Sequence, residues 1–530
     1  MAAASAVALA CLSSGPALAQ SFTCTDNATS IGGVWNFGYS WDNGVPTSSS
    51  NTCIGANHGT YTMPNPGTTY DLYLGSGSKL DNHAEELDLY GTTFDNYGFY
   101  NNSGITKIFQ NVTLDGGGSV NNPLYGGFTA SNNATLDNVD NLIYGAGFIG
   151  SYFGSNSLSL INGAKGTVYA NISGQSFNLN AGGSITNNGT FEVAAGSTMH
   201  LSGGIFENFS GNTLTGGTYE VYGTNASAGV LEIDQLGTSG GEIVNNDASI
   251  VLSGVNSNIT DANGNNALSN FSRNESGGSF TITQGLNFAT ANTGNFGNAG
   301  NVTIGANSKM SIGSAAQNDY VQSGGTTQVD GTLAANKAYI SGGTLQGTGN
   351  VSVTQTLFDY GTVSPGDTGS VGVLTVSGNY EQGHGGTLMI DLAGATAGLY
   401  SQLDISGHAT LFDGVGASTL AIALLPSFSL SKGDSFDLIN AASFLGNFTA
   451  LSLGGMTCTG GAGGSYDCSG TNLTEIFCGS GSTAGDCLTG DTELWVDDRG
   501  PANVPEPGSL LLFGAALLAL GGLGLRRKSA

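Results

Sequence analysis

Few side chains in this sequence are able to do chemistry, and their spacing limits what that chemistry is. Carboxylates are the main supply, with 38 Asp and Glu against 11 Lys and Arg. Two carboxylates held about 5–10 Å apart would cleave a glycosidic bond by acid–base or nucleophilic steps. Asp391, Asp404 and Asp413 qualify only as members of a large pool, for which solvated acids are the simpler reading. A polysaccharide lyase needs a basic residue, usually beside carboxylates that hold Ca²⁺. Outside the extreme C-terminus the cations are Lys79, Lys107, Lys165, Arg273, Lys309, Lys337, Lys432 and Arg499, and they are scattered. The five histidines, His58, His83, His200, His384 and His408, read as isolated, and His83 with Glu85 and Glu86 reads as a polar turn. Asp261-Ala262-Asn263-Gly264-Asn265-Asn266 alternates oxygen ligands as Ca²⁺ loops do. Its Gly is misplaced for an EF-hand and no Glu closes it, so an Asn-Gly turn is expected. Asp115-Gly116-Gly117-Gly118 is a single copy of a pattern that binds Ca²⁺ only in tandem. Gly237-Thr238-Ser239-Gly240-Gly241 fits G-x-S-x-G without the strand-to-helix elbow that chemistry needs. The expectation is a protein that is not an enzyme, with no catalytic residue, cofactor or metal.

The elements that would carry these residues are short strands. Val302-Thr303-Ile304, Thr327-Gln328-Val329, Val351-Ser352-Val353 and Leu374-Thr375-Val376 are each flanked by Gly, Asn and Ser. That pattern repeats as strand and turn, with no room for a helix between. The Gly-Gly pairs at 324 and 342 suggest one turn of a repeat, and the other pairs do not keep that period. A chain of 88 glycines with only 9% charged residues must surface itself with Asn, Ser, Thr and Gly, which suits stacked turns. The fold class expected is all-β, a long parallel β-helix (β-solenoid), because stacked coils pair strand on strand without helical crossovers. An array of β-sandwiches would show more regular hairpin signals. The solenoid is expected over 57–395, with an N-terminal cap at 20–56, a C-terminal β cap at 396–453, and a Cys-containing region and linker at 454–503.

The net charge of −27 repels phosphate backbones and excludes nucleic acid as a partner. Residues 1–19 form an apolar run, Pro16 and an A-x-A site at Ala17 and Ala19, which reads as a secretory signal cleaved after Ala19. Six cysteines follow, Cys24 and Cys53 near one end and Cys458, Cys468, Cys478 and Cys487 near the other. In an oxidising compartment they read as disulfides stapling the end caps. Cys24–Cys53 is the expected first pair. Cys458–Cys468 with Cys478–Cys487 is one of three connectivities open to the second group. A zinc site lacks both CxxC spacing and a nearby His.

Val504-Pro505-Glu506-Pro507 precedes an apolar run from Leu510 to Leu525 and then Arg526-Arg527-Lys528. As a helix that run would span about 24 Å, a little short of a ~30 Å hydrocarbon core, with the basic cluster kept cytoplasmic. This three-part arrangement resembles the PEP-CTERM sorting signal. The resemblance implies an exosortase-type processing enzyme in the inner membrane as partner. It also implies a transient anchor through a C-terminal transmembrane helix, then delivery to the cell surface or an extracellular matrix of exopolysaccharide or biofilm. Tyr320-Val321-Gln322, Val363-Ser364-Pro365-Gly366, Asn379-Tyr380-Glu381-Gln382 and Gly433-Asp434-Ser435-Phe436 resemble pieces of autotransporter-like β-helix proteins. Trp35 and Trp41 with Gly44 and Pro46 resemble the entry of bacterial β-helix surface proteins, where a cap is favoured over a carbohydrate platform. That scaffold also hosts polysaccharide lyases and glycosidases, so such an enzyme, or an adhesin, is the alternative reading.

Overall fold

The computed structural model describes residues 22–496 apart from 152–156, 237–240, 291–293, 314–316, 413, 432, 461–464, 469–470 and 478–490. Two compact units divide it, one up to residue 167 together with 181–183, the other comprising 168–180 and everything from 184. The signal at 1–19, the pair Cys478–Cys487 and the apolar run 510–525 lie outside the described residues.

In the first unit each coil is three short strands joined by tight bends. Leu72–Leu74, Lys79–Asp81 and Glu86–Leu89 make one coil, and Thr93–Asn96, Phe99–Asn101 and Ile105–Ile108 the next. Each strand pairs in parallel with its counterpart one coil on, Leu72 opposite Phe94, Leu80 opposite Tyr100 and Leu87 opposite Thr106. Side chains alternate across a strand, so one set points into the coil and the other to solvent. The inward set is Leu72, Leu74, Leu80, Leu87, Leu89, Phe94 and Tyr100, all fully buried. Two cross-coil partners satisfy each strand's backbone, so no helix is needed to bring parallel strands together.

The second unit repeats this design. Tyr320–Gln322, Thr326–Val329 and Thr332–Ala335 form one coil and pair in parallel with Ala338–Ile340, Thr344–Gly347 and the first half of Asn350–Asp359. Gln328 stands opposite Gln346, 18 residues on, and the two amides bond at 2.7 Å. The Gly-Gly pairs mark that step. Gly343 adopts φ +70°, and a Cβ there would collide with the carbonyl oxygen of Gly325 in the coil before, so the bend admits only glycine. In Asn350–Asp359 a register shift between Ser352 and Thr356 lets one strand turn a corner and serve two sides.

Parallel pairing continues into 396–453, with Thr387–Leu392 on Thr419–Leu424 and Thr419–Leu424 on Ala450–Leu453. Beyond it the direction reverses. Asp491–Val496 lies antiparallel on Ser435–Asn440, and Thr471–Phe477 antiparallel on Asp491–Val496. An antiparallel strand laid along a ladder occupies an edge that would otherwise recruit another chain.

The fold is therefore an all-β solenoid, as its strand-and-turn pattern predicts. Disulfides join Cys24 to Cys53 and Cys458 to Cys468. Trp35 and Trp41 are buried with rings edge to face at 5.1 Å, and Trp41 Nε1 donates to the Trp35 carbonyl oxygen. Buried in this way, neither indole offers a stacking face. Among the described residues the only helical turn is a 3-10 turn at Gly38–Ser40, and no helix is long and apolar enough to cross a membrane.

Polar residues inside the bends form ladders of their own. In the first unit Asn82 Nδ2 donates to Asn102 Oδ1 at 2.7 Å and Asn102 Nδ2 to Asn122 Oδ1 at 3.0 Å, all three side chains being fully buried. In the second unit Asn246, Asn274 and Asn298 hand on in the same way, at 2.9 Å each, and Asn298 Nδ2 donates to Thr327 Oγ1.

Candidate functional site

The outward set of side chains is where a site would lie, and stacking gives it its geometry. Residues in register on successive coils stand one strand spacing apart, about 4.8 Å, whatever their separation in sequence. Like residues then form columns.

Two columns and one pair along a single strand gather carboxylates. In the first unit Asp95 stands opposite Asp115. Burial, then the charges of Asp115 and Asp71, push the Asp95 carboxyl up to about 6. Asp88 reaches about 6 as well, through burial and then its bond to Glu86 and that neighbour's charge, offset in part by Lys107. Lys107 Nζ is 3.5 Å from Glu86 Oε1 and lies over the Phe109 ring, so it is held in a structural pairing. In the second unit Glu192 stands opposite Glu220, and burial followed by the Glu220 charge raises the Glu192 carboxyl.

A fourth cluster includes an imidazole. Thr198–Ser202 pairs with Gly229–Ile233, which sets His200 opposite Glu232. Met199, Leu201, Leu231 and Ile233 point into the core, so His200 and Glu232 point out, and Asp234 follows on the same side. The Asp234 amide donates to the Leu201 carbonyl oxygen, extending the ladder by one residue and pinning Asp234 beside the pair. His200 Nε2 lies 2.8 Å from Asp234 Oδ1 and 3.7 Å from Glu232 Oε1. The side chains are about one-third exposed, at 30% for His200 and Glu232 and 36% for Asp234.

The residues singled out in the sequence fare differently. Asp391 is buried opposite Ala423, while Asp404 sits opposite Thr375 and accepts from Asn440 Nδ2, so the two are not brought together as a pair. Asp413 lies outside the described residues, as do residues 237–240 of the G-x-S-x-G stretch. The Asp261 loop is an Asn-Gly turn. Its carboxylate accepts the Asn263 and Asn265 amides and Asn265 Nδ2, and Gly264 takes φ +75°. Those bonds, led by the Asn265 side chain, hold the Asp261 pKa below the usual carboxylate value. His83 occupies a turn with φ +51°, its amide bonded to Asp81 Oδ1. A shallow cleft lined by Ser272, Arg273, Asn295, Asn298, Val321 and Ser323 contains no carboxylate. The isolation expected of the histidines fails at His200. Its acidic neighbours are 32 and 34 residues away in sequence, and only the register of two strands reveals them.

Residues 503–528 match the family model of the PEP-CTERM protein-sorting motif, spanning Val504-Pro505-Glu506-Pro507 and Arg526-Arg527-Lys528. The chain carries a PEP-CTERM sorting signal. The motif implies an exported protein, transiently anchored in the membrane and processed by exosortase, a membrane enzyme. No curated protein matches this PEP-CTERM chain. The signal itself lies outside the described residues, so the described part of the PEP-CTERM protein is the cargo that the signal delivers.

Proposed function

We propose that this PEP-CTERM protein is a non-enzymatic structural component of the cell surface or extracellular matrix, associated with exopolysaccharide. The observation that carries the reading is the joining of a sorting signal to a β-solenoid. Such a body extends by repetition and presents long columns of Asn, Thr, Ser and carboxylate side chains. The acidic surface keeps these β-rich coils soluble outside the cell.

The intact mass of the protein recovered from outside its own cells tests the reading. A mass lacking residues 1–19 and everything beyond about Pro507 is expected. A mass retaining Leu510 to Ala530 would mean a plain membrane anchor, and the matrix role would fall with it.

Asp95 beside Asp115 favours a second reading, a glycosidase acting on polysaccharide, because a carboxyl raised to about 6 beside a second carboxylate offers a general acid in a carboxylate pair. The purified protein should then depolymerise its own exopolysaccharide, and Asp95→Asn should abolish turnover. On the structural reading the wild-type protein leaves the polymer length unchanged.

A further inference from the structure

His200, Glu232 and Asp234 differ from the acidic columns in donor set and in charge balance. One nitrogen and two carboxylate oxygens, all within 4.8 Å of one another, converge on the outward face of the second unit. Among the described residues no Lys or Arg forms an ion pair with either carboxylate, and the His200 ring is the group that faces both. Along the column the neighbours are neutral, Asn178 opposite His200 on one side and Thr260 opposite Glu232 on the other. Two carboxylates are thus held together beside a single imidazole.

We infer that these three side chains bind one divalent transition-metal cation of the Zn²⁺ class, through His200 Nε2 and one oxygen each from Glu232 and Asp234. Bonds of about 2.0–2.2 Å place two tetrahedral donors roughly 3.4 Å apart. The observed separations from Nε2, 2.8 Å and 3.7 Å, bracket that value, and all three donors lie within 4.8 Å of one another, so side-chain adjustment without backbone movement admits the cation. His200 and Glu232 sit on paired strands whose inward neighbours are locked in the core, which holds the donors in place before the metal arrives. An imidazole among the donors selects Zn²⁺ over Ca²⁺ and Mg²⁺, which prefer oxygen alone. With three protein donors on an open face, the remaining position faces solvent and takes water or an oxygen of an external ligand. The inference stands on this geometry alone and does not depend on the matrix role.

The test is a calorimetric titration of the purified full chain, stripped of metal, with Zn²⁺. One ion per chain is expected at this site, and His200→Ala and Glu232→Gln should each weaken binding at least tenfold. All three side chains point outward, so both variants should keep the thermal unfolding midpoint of the wild type. Asp234→Asn, nearly identical in shape, provides a third variant if either of the others is poorly folded. X-ray absorption of the bound metal should show a single imidazole among nitrogen and oxygen donors. Three results would each overturn the inference. They are no Zn²⁺ binding, binding that survives His200→Ala undiminished, and a Ca²⁺ affinity equal to that for Zn²⁺.

Discussion

Replacing Asp359 by Asn stabilises the second unit at pH 8 by on the order of 4 kcal/mol and leaves it little changed near pH 4. Asp359 is fully buried in a bend. Its Oδ1 accepts the Gly361 amide at 3.0 Å and its Oδ2 lies 3.1 Å from the Tyr380 hydroxyl. Tyr380 also reaches Gln382 Oε1 at 2.9 Å, and Gln382 Nε2 is committed to the carbonyl oxygens of Gly386 and Thr419. The Tyr380 hydroxyl has one proton to give. A protonated Asp359 completes the chain by donating to Tyr380, which donates to Gln382. An ionised Asp359 competes with Gln382 for that proton. Burial, outweighing these bonds, pushes the Asp359 carboxyl from 3.8 up to about 7.

The sign follows from proton binding. Between about pH 4 and 7 the folded protein holds a proton at Asp359 that the unfolded chain releases, so this residue's contribution is fully present below pH 3.8 and lost as pH rises through 7. An Asn amide donates to Tyr380 and accepts from Gly361 at every pH, with no charge to bury. Urea midpoints and amide exchange over 357–382, measured on both proteins at pH 4 and pH 8, check this. Other acids titrate in both proteins, so the difference between them isolates Asp359. Parallel pH profiles would refute the assignment.

The Asn102→Leu variant should lose about 3 kcal/mol or more in the first unit, while Asn101→Ala, one residue earlier, should lose less than about 1 kcal/mol. Asn102 Oδ1 accepts from Asn82 Nδ2, Tyr100 and Thr106, and Asn102 Nδ2 donates to Asn122. Leucine fills the space but leaves those buried partners without their bonds, at about 1–3 kcal/mol for each one orphaned. Asn101 points the other way, and its bond from Asn121 at 2.8 Å is reached by water. Thermal unfolding of the two variants reads the contrast, and equal losses would mean that the inner ladder contributes no more than the outer one. The ladder stops at Asn122, where Gly145 takes the next position and Asn122 Nδ2 has no hydrogen-bond partner among the described residues.

Some of this was legible because it is local or strictly periodic. Alternation along Leu72-Tyr73-Leu74 or Thr327-Gln328-Val329 dictates a strand with one buried face, and the absence of any helical period leaves parallel coils to pair the strands. Cys24 pairs with Cys53 as their shared place near one end leads one to expect, whereas Cys458–Cys468 is one of three connectivities open in sequence and only the structure selects it. The Gly324 and Gly342 pairs marked an 18-residue step, which the next coil keeps from Thr344 to Thr362. The sorting signal is contiguous, so no fold is needed to read it.

Tertiary structure alone decided what stands beside what. Coil steps vary with the length of each bend, from 18 residues at Gln328 and Gln346, through 32 at His200 and Glu232, to 36 at Leu403 and Ile439. A side chain's neighbour across a coil is therefore set by loops that carry no periodic mark, and an error of one residue moves it to the opposite face. That is why His200 read as isolated, why Asn101 and Asn102 looked alike, and why Asp359 gave no sign that it is an acid inside a ladder of amides and hydroxyls. Composition and alternation determine that this chain coils. The register of the coils, fixed by how each bend closes and what it buries, determines which of its polar residues meet.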